Sequence, residues 1–267
     1  MASPYNLDHI SIIGQYRDGI GVMELSRQYS VHRSTIQRLL IKYDVEFHSR
    51  VPVNSYNYTF FKSYTPESCY WAGFIMADGH IRSGSHENAL SIKLSIQDYD
   101  HLVKFKRIIG YIGNIYKNKD DTYCYINLSG ELLIKTLRNN FNITTRKSLT
   151  AEFPKLIPVD MITHFIRGYF DGDGTVCIVK HRLVCGFIGT YDMLTNIQDY
   201  FLCNGIRART ETGKIKLFHR SLKNTYAFSH NSRNTKDMLK LMYENSTELC
   251  RLDRKYKFFV SSLTKTK

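Results

Sequence analysis

The chain has 267 residues, and its 37 Lys plus Arg against 24 Asp plus Glu give a formal net charge of +13. This excess favours a polyanionic partner, such as nucleic acid or an anionic membrane surface. The 43% hydrophobic content excludes wholesale disorder, and no apolar run reaches the roughly 18 residues of a membrane-spanning helix. No secretory signal is visible, so we expect an intracellular protein, cytoplasmic or organellar, without a membrane partner.

The first 50 residues predict three short helices, over 7–17, 22–29 and 34–43. A tight turn between the last two gives a helix-turn-helix, and the segment 23–43 resembles that of resolvases and transposases. The third helix exposes side chains of the types that reach base edges in a major groove. The predicted DNA contacts here are Arg33, Ser34, Thr35, Gln37, Arg38 and Lys42. The alternative is a three-helix packing module with a solvated basic face.

An internal repeat dominates the remainder of the chain. The segments 71–79 (WAGFIMADG) and 166–174 (IRGYFDGDG) match each other, and the aspartates Asp78 and Asp173 lie 173 − 78 = 95 positions apart. Similar strand-like and helical stretches follow each copy, so a duplicated unit is the simplest explanation. Two related units in one chain predict a pseudo-twofold molecule with its site on the axis.

The repeated segments themselves predict two helices that pack closely. Small residues stand four positions apart in both copies, so that each helix has a face where another backbone can approach; they are Gly73 and Ala77 in the first copy and Gly168 and Gly172 in the second. If the helices pack in parallel, Asp78 and Asp173 meet near the axis. Two crowded carboxylates repel unless a cation lies between them, which is an arrangement that binds Mg²⁺. The alternative, a plain Asp-Gly turn, fits one copy better than two.

These two segments resemble the signature helices of single-chain LAGLIDADG homing endonucleases, and the resemblance covers about 56–260. It implies an α+β fold of two αββαββα units related by a pseudo-twofold axis, whose sheets form a saddle on DNA. Asp78 and Asp173 match the family's metal ligands, and Gly79 and Gly174 match the final position, where a backbone carbonyl lies near the metal. The implied cofactor is Mg²⁺, as two or three ions, with Mn²⁺ or Ca²⁺ able to substitute for binding.

Two positions depart from the family's pattern, since Met76 stands where the consensus has Asp and Arg167 where it has Ala. Neither is a catalytic position in the family. Lys147 and Lys255 each follow an arginine at equivalent repeat positions, and the resemblance implies a basic residue beside each scissile phosphate. Lys147 and Lys255 are therefore the predicted catalytic lysines. The alternative is ordinary surface lysines or phosphate anchors.

Alternating strands predict the surface that reads DNA. The stretch 90–97 has apolar residues on one side and polar ones on the other, and 207–216 predicts a ribbon turning at Thr212-Gly213. A two-stranded ribbon fits a major groove, whereas the alternative is a solvated strand face. The predicted contacts in the two sheets are Ser91, Lys93, Ser95, Gln97, Tyr123, Tyr125, Lys180, Arg182, Arg207, Arg209, Lys214 and Lys216.

Together these features predict a helix-turn-helix domain over 1–50, a linker over 51–66 and repeat units over 67–153 and 154–267. The predicted function is a site-specific, Mg²⁺-dependent double-strand DNA endonuclease. The resemblance implies a monomer that hydrolyses phosphodiester bonds in a duplex target of roughly twenty base pairs or more and leaves four-nucleotide 3′ overhangs. Two alternatives stay open: an RNA-binding intron maturase, with intron RNA as its partner, and a DNA-binding regulator that does not cut.

Overall fold

The structure is a computed structural model, and it describes residues 8–18, 20–45, 47, 55–82, 88–220, 223–231 and 233–264. The start of the first predicted helix and residues 51–54 of the predicted linker lie outside the described residues. The chain divides into two compact units, Met1–Val53 and Asn54–Lys267. In the described residues, no helix is long and apolar enough to cross a membrane.

Three helices form the first unit: α1 (His9–Arg17), α2 (Val22–Gln28) and α3 (Arg33–Lys42). They pack around a small apolar core of their own, built from Ile12, Tyr16, Leu25, Ile36, Leu39, Leu40 and Val45. The apolar residues of α3 recur at the three- and four-residue spacing that places them on one face. The opposite face of α3 carries its polar and basic side chains together with the exposed Ile41.

The first repeat runs in the order helix, two strands, helix, two strands, helix. Its elements are α4 (Pro66–Asp78), β1 (Gly79–Ile81), β2 (Ala89–Ser95), α5 (Tyr99–Ile108), β3 (Tyr116–Lys117), β4 (Tyr123–Ser129) and α6 (Glu131–Phe141), followed by the short α7 (Lys147–Thr150). The antiparallel sheet has the order β1-β2-β4-β3. A Thr65 capping box and Pro66 in the first turn set the start of α4.

The second repeat follows the same order. Its elements are α8 (Ile162–Asp173), β5 (Thr175–Val179), β6 (Arg182–Gly189), α9 (Tyr191–Cys203), β7 (Phe218–His219), β8 (Tyr226–Asn231) and α10 (Arg233–Tyr243), followed by α11 (Asp253–Thr264). Its antiparallel sheet has the order β5-β6-β8-β7. The structure thus confirms the predicted α+β class with two four-stranded sheets, and both repeats contribute to one continuous hydrophobic core.

The helices α4 and α8 pack against each other in parallel at very short range. A Cβ atom on Gly73 would lie 2.0 Å from the Phe165 carbonyl oxygen, and one on Gly168 would lie 1.8 Å from the Tyr70 carbonyl oxygen. These contacts are equivalent in the two repeats, because each pair of matched residues is 95 positions apart. The small-residue faces predicted from the sequence therefore form the contact between the repeats, around a pseudo-twofold axis.

Two strand predictions were wrong, one at its end and the other over its whole length. The strand predicted over 90–97 ends at Ser95, and Gln97 lies in a single 3₁₀ turn that leads the chain into α5. The ribbon predicted over 207–216 is a tight loop. In it the Ala208 N–H donates to the Gly213 carbonyl (2.8 Å) and the Thr210 hydroxyl to the Lys214 carbonyl (2.7 Å). These residues therefore form a loop, whereas their alternation predicted two strands.

Candidate active site

The site is built where the two packed helices end. Asp78 is the last residue of α4 and Asp173 the last of α8, and the glycine that follows each one is extended and leads directly into a strand. A Cβ atom on Gly172 would lie 3.1 Å from Oδ2 of Asp78. The Asp78 carboxylate therefore lies against the last turn of α8, one residue before Asp173, which brings the two aspartates together as the repeat predicts.

Burial and mutual repulsion disfavour the charged form of this pair. Burial, and then the charge of Asp173, raise the pKa of Asp78 to about 6. Burial likewise raises the pKa of Asp173, which nearby Lys147 and Lys255 partly offset. A divalent cation between the carboxylates would remove this penalty. The pair therefore fits a metal electrostatically.

Two neighbouring carboxylates are a donor set that would suit Mg²⁺. Among the described residues, no group of three or more His, Cys, Asp or Glu side chains could hold a metal. Mg²⁺ is commonly bound by one or two carboxylates, with waters and phosphate oxygens completing its shell. The carbonyl of Gly174 accepts a hydrogen bond from Lys255, so a metal would share it, and the assignment of Gly79 and Gly174 as ligands stays a prediction.

The predicted lysines are buried, and they bind the ends of the paired helices. The Lys147 amine donates to the Ala77 carbonyl (2.6 Å), and the Lys255 amine donates to the carbonyls of Phe170 (2.6 Å) and Gly172 (3.4 Å) as well as Gly174. Cations at the carboxyl end of a helix interact favourably with its dipole. The repeat located both lysines, whereas their hydrogen bonds to these helix ends had no sequence signal.

The raised pKa of Asp78 predicts how pH affects the metal-free protein. Because Asp78 binds its proton more tightly folded than unfolded, its contribution to stability is present below about pH 4 and is lost as the pH rises to about 6. The Asp78→Asn variant lacks this loss. With chelator present, we expect the free energy of unfolding of the variant to exceed that of the wild type increasingly from pH 4 to 6 and then level off. A constant difference across this range, in denaturant titrations, would contradict the raised pKa.

The outer face of the first sheet collects most of its predicted contacts. Lys93 pairs with Tyr125 and Ser95 with Tyr123 across β2 and β4, and the Lys93 amine lies 3.5 Å from the centre of the Tyr123 ring. Ser91 points to the same side, opposite the buried Leu90, Ile92 and Leu94. The sequence prediction missed Tyr116, which stacks on Tyr125 with ring centres 5.4 Å apart. Its two-residue strand was too short to be seen as an alternating pattern.

Arginines of the second repeat gather around a cleft of about 850 Å³ at one end of its sheet. Arg182, Arg207 and Arg209 line it, together with Arg233 at the start of α10, which the sequence prediction missed because Arg233 lies on a helix. The other predicted cations of this repeat lie elsewhere. Lys180 is in the β5–β6 turn with φ of 47°, Lys214 pairs with Asp199, and Lys216 is exposed without lining the cleft.

The outer face of the second sheet is largely apolar, unlike that of the first. By register, Cys177 pairs with Val184, and Ala227 pairs with both Ile188 and Phe218 on this side. Phe218 is 61% exposed. The outer faces of the two sheets therefore differ in chemistry, one polar and aromatic and the other mostly apolar.

The predicted contacts on α3 all lie on its accessible side. Arg33, Arg38 and Lys42 are exposed, whereas Ser34, Thr35 and Gln37 are half-buried. The ring of His32 accepts a hydrogen bond from the Ser34 N–H (3.3 Å) and caps the helix. Its Nδ1 also lies 2.9 Å from the Ser34 hydroxyl oxygen, so that hydroxyl is already engaged.

Similar solved structures are DNA-bound nucleases. The I-LtrWI LAGLIDADG homing endonuclease bound to target DNA shares 12% identity with this chain, over 77% of this chain and 92% of its own, with a TM-score of 0.48. The LAGLIDADG meganuclease I-CpaMI bound to uncleaved DNA shares 12% identity over 74% and 90%, with a TM-score of 0.47. Meganuclease I-SmaMI bound to uncleaveable DNA shares 12% over 74% and 91%, with a TM-score of 0.46.

A curated protein that is similar in sequence to this chain is named as an aminotransferase. The glutamine--fructose-6-phosphate aminotransferase (isomerizing) of Methanocaldococcus jannaschii is 26% identical over 213 residues, which are 76% of this chain. The chain spans 19% of the length of that protein. No family model matches the chain.

Proposed function

We propose that the chain is a site-specific double-strand DNA endonuclease that works with Mg²⁺. One observation carries the proposal: two helices packed in parallel bring the buried carboxylates of Asp78 and Asp173 together at the pseudo-twofold axis. Because both carboxylates come from one chain, a second copy is not needed to complete the site. The resemblance of the two repeated segments to LAGLIDADG homing endonucleases supports the same proposed function.

Each part of the site has a distinct task in this proposal. Asp78 and Asp173 hold the metal, and Lys147 and Lys255 place positive charge beside the reacting phosphates. Bound Mg²⁺ supplies an activated water and stabilisation of the leaving oxygen. Burial keeps bulk water from screening these charges, which strengthens each electrostatic contact. Four-nucleotide 3′ overhangs follow from the family resemblance, and Mn²⁺ or Ca²⁺ would occupy the same carboxylates.

DNA binding would use four surfaces. The polar face of the first sheet and the apolar face of the second supply contacts to bases, and the arginine cleft supplies contacts to phosphates. The exposed cations of α3 add a flanking contact from the helix-turn-helix. The family resemblance implies a duplex target of roughly twenty base pairs or more.

Deletion of residues 1–53 tests the separate role of the first unit. That unit has its own core, and none of the four residues proposed for catalysis lies in it. We expect the truncated chain to bind its target about 10- to 100-fold more weakly and to lose part of the salt dependence of binding. The rate of cleavage at saturating protein should be unchanged.

A matched control for the deletion is the full chain with Arg33, Arg38 and Lys42 changed to glutamine. It keeps the fold of the first unit and removes the exposed cations of α3, so it should reproduce most of the loss in affinity. A folded truncated chain that binds the target but has lost metal-dependent cleavage would contradict this division of roles.

The proposed activity is tested by selection from a randomised duplex library. The chain is incubated with the library in Mg²⁺, and in chelator as a control, and both cut and retained molecules are sequenced. Recurrent cutting in Mg²⁺ alone supports the endonuclease. Sequence-specific retention without cutting would favour the regulator, and tighter binding of intron RNA than of duplex DNA at equal salt would favour the maturase.

A further inference from the structure

A fully buried carboxylate lies beside the proposed metal site without belonging to it. Asp171, in the last turn of α8, is 1% exposed. It accepts hydrogen bonds from the Tyr70 hydroxyl (2.8 Å), the Leu252 N–H (2.7 Å) and the Tyr243 hydroxyl. Buried carboxylates are costly unless they are fully hydrogen-bonded. Three donors from three different parts of the chain indicate that this position is built for a carboxylate.

The contact with Leu252 fixes the start of α11. Leu252 immediately precedes that helix, and its carbonyl accepts hydrogen bonds from the N–H groups of Lys255 and Tyr256 (3.0 Å each). Asp171 therefore holds the turn of α11 that carries Lys255.

The amine of Lys255 is bound on either side of Asp171. The Lys255 side chain is 3% exposed, and its amine donates to the carbonyls of Phe170 and Gly172, the two neighbours of Asp171 in the chain. The last turn of α8 therefore holds both the amine of Lys255 and, through Asp171, the backbone that carries this lysine.

The first repeat lacks this support. Met76 is the residue 95 positions before Asp171, and it is 2% exposed and cannot accept a hydrogen bond of this kind. Within the described residues, the Lys147 amine has one hydrogen-bond acceptor, the Ala77 carbonyl. Its helix, α7, has four residues and follows Arg146, which has a φ of 58°. The two lysines are therefore held by unequal frameworks.

We propose that Asp171 is a positioning residue for Lys255, and that its absence from the first repeat makes the two halves of the site unequal, so that the two DNA strands are cut one after the other. The second part rests on the proposed function. Lys255 is in place before DNA binds, whereas the amine of Lys147 has a single hydrogen bond among the described residues. The strand served by Lys255 is cut first.

The positioning is tested without any cleavage. Purified wild-type and Asp171→Asn chains are treated with an amine-acylating reagent, and the modification rates of Lys147 and Lys255 are measured by mass spectrometry. Loss of the carboxylate that accepts from the Leu252 N–H should loosen the first turn of α11, raise the rate at Lys255 about tenfold and leave the rate at Lys147 unchanged. Tyr243→Phe removes one of the hydrogen-bond donors to Asp171, so it should raise the acylation rate at Lys255 by a smaller factor. This variant replaces Asp171→Asn in the test if Asp171→Asn does not fold. Met76→Leu is the matched control and should change neither rate.

The order of cutting is tested with a duplex labelled on both strands. Lys255→Met identifies the strand that this lysine serves, which should be the strand that the wild-type chain cuts first. Asp171→Asn should slow that strand about tenfold and leave the other unchanged. Equal slowing of both strands, or equal acylation changes at both lysines, would overturn the proposal. If the wild-type chain cuts no DNA, the proposed function fails, while the acylation ratio still decides the role of Asp171.

Discussion

Replacing either motif aspartate by asparagine is expected to reduce double-strand cleavage by about a thousandfold or more, which corresponds to the several kcal/mol that a metal supplies to the transition state. Asparagine keeps the shape of Asp78 or Asp173 but removes the charge that holds a divalent cation. The affinity for target DNA should be unchanged or slightly tighter, because one negative charge beside the phosphates is lost. Cleavage rates and equilibrium binding are measured on one selected duplex.

The same variants carry an internal control for folding. At neutral pH and without metal, Asp78→Asn should be more stable than the wild type, since it lacks the buried charge whose pKa is raised. Loss of cutting in a chain that melts at a higher temperature cannot come from unfolding. Cleavage retained by both single variants would contradict the metal assignment.

The second large effect is expected at the helix contact. Gly168→Ala should destabilise the second unit by about 3 kcal/mol or more, because its Cβ would lie 1.8 Å from the backbone carbonyl oxygen of Tyr70 and no side chain can move to make room. Gly73→Ala, whose Cβ would meet the Phe165 carbonyl at 2.0 Å, should behave alike. Denaturant unfolding of the chain measures both changes.

Gly14 supplies the comparison for these variants. It lies inside α1, and a Cβ there would meet no heavy atom within 4 Å. Gly14→Ala should therefore stabilise its own helix by about 0.5–1 kcal/mol. If Gly168→Ala were as well tolerated as Gly14→Ala, the close parallel packing of α4 and α8 would be wrong, and with it the meeting of the two aspartates.

The central geometry could be predicted from the sequence because it depends on a repeat. Two copies of a motif with small residues four apart restrict how the helices can meet, and Asp78 and Asp173 follow from that contact. Alternation in β2 likewise predicted which of its side chains face outwards. These features depend on local periodicity, which the sequence carries directly.

Features that depend on contacts between distant segments had no such signal. The hydrogen bonds from the Lys255 amine to the end of α8, and from the Leu252 N–H to the Asp171 carboxylate, join residues more than 80 positions apart. Arg233 joins the arginine cleft from a helix rather than a strand. The sequence predicts a strand at Gln97 because the alternation of apolar and polar residues continues beyond Ser95. The chain already turns towards α5 at Ile96.

The most direct measurement of the central claim maps both ends of a single break. A duplex selected by the chain is incubated with Mg²⁺ and the wild-type protein, and with the Asp78→Asn, Asp173→Asn double variant as control, and every new end is sequenced on both strands. If the chain is a site-specific endonuclease that uses its two paired aspartates, we expect one recurrent break with four-nucleotide 3′ overhangs. This break should be absent with the double variant. Tight, specific binding with no break in Mg²⁺, or the same break with the double variant, would contradict it.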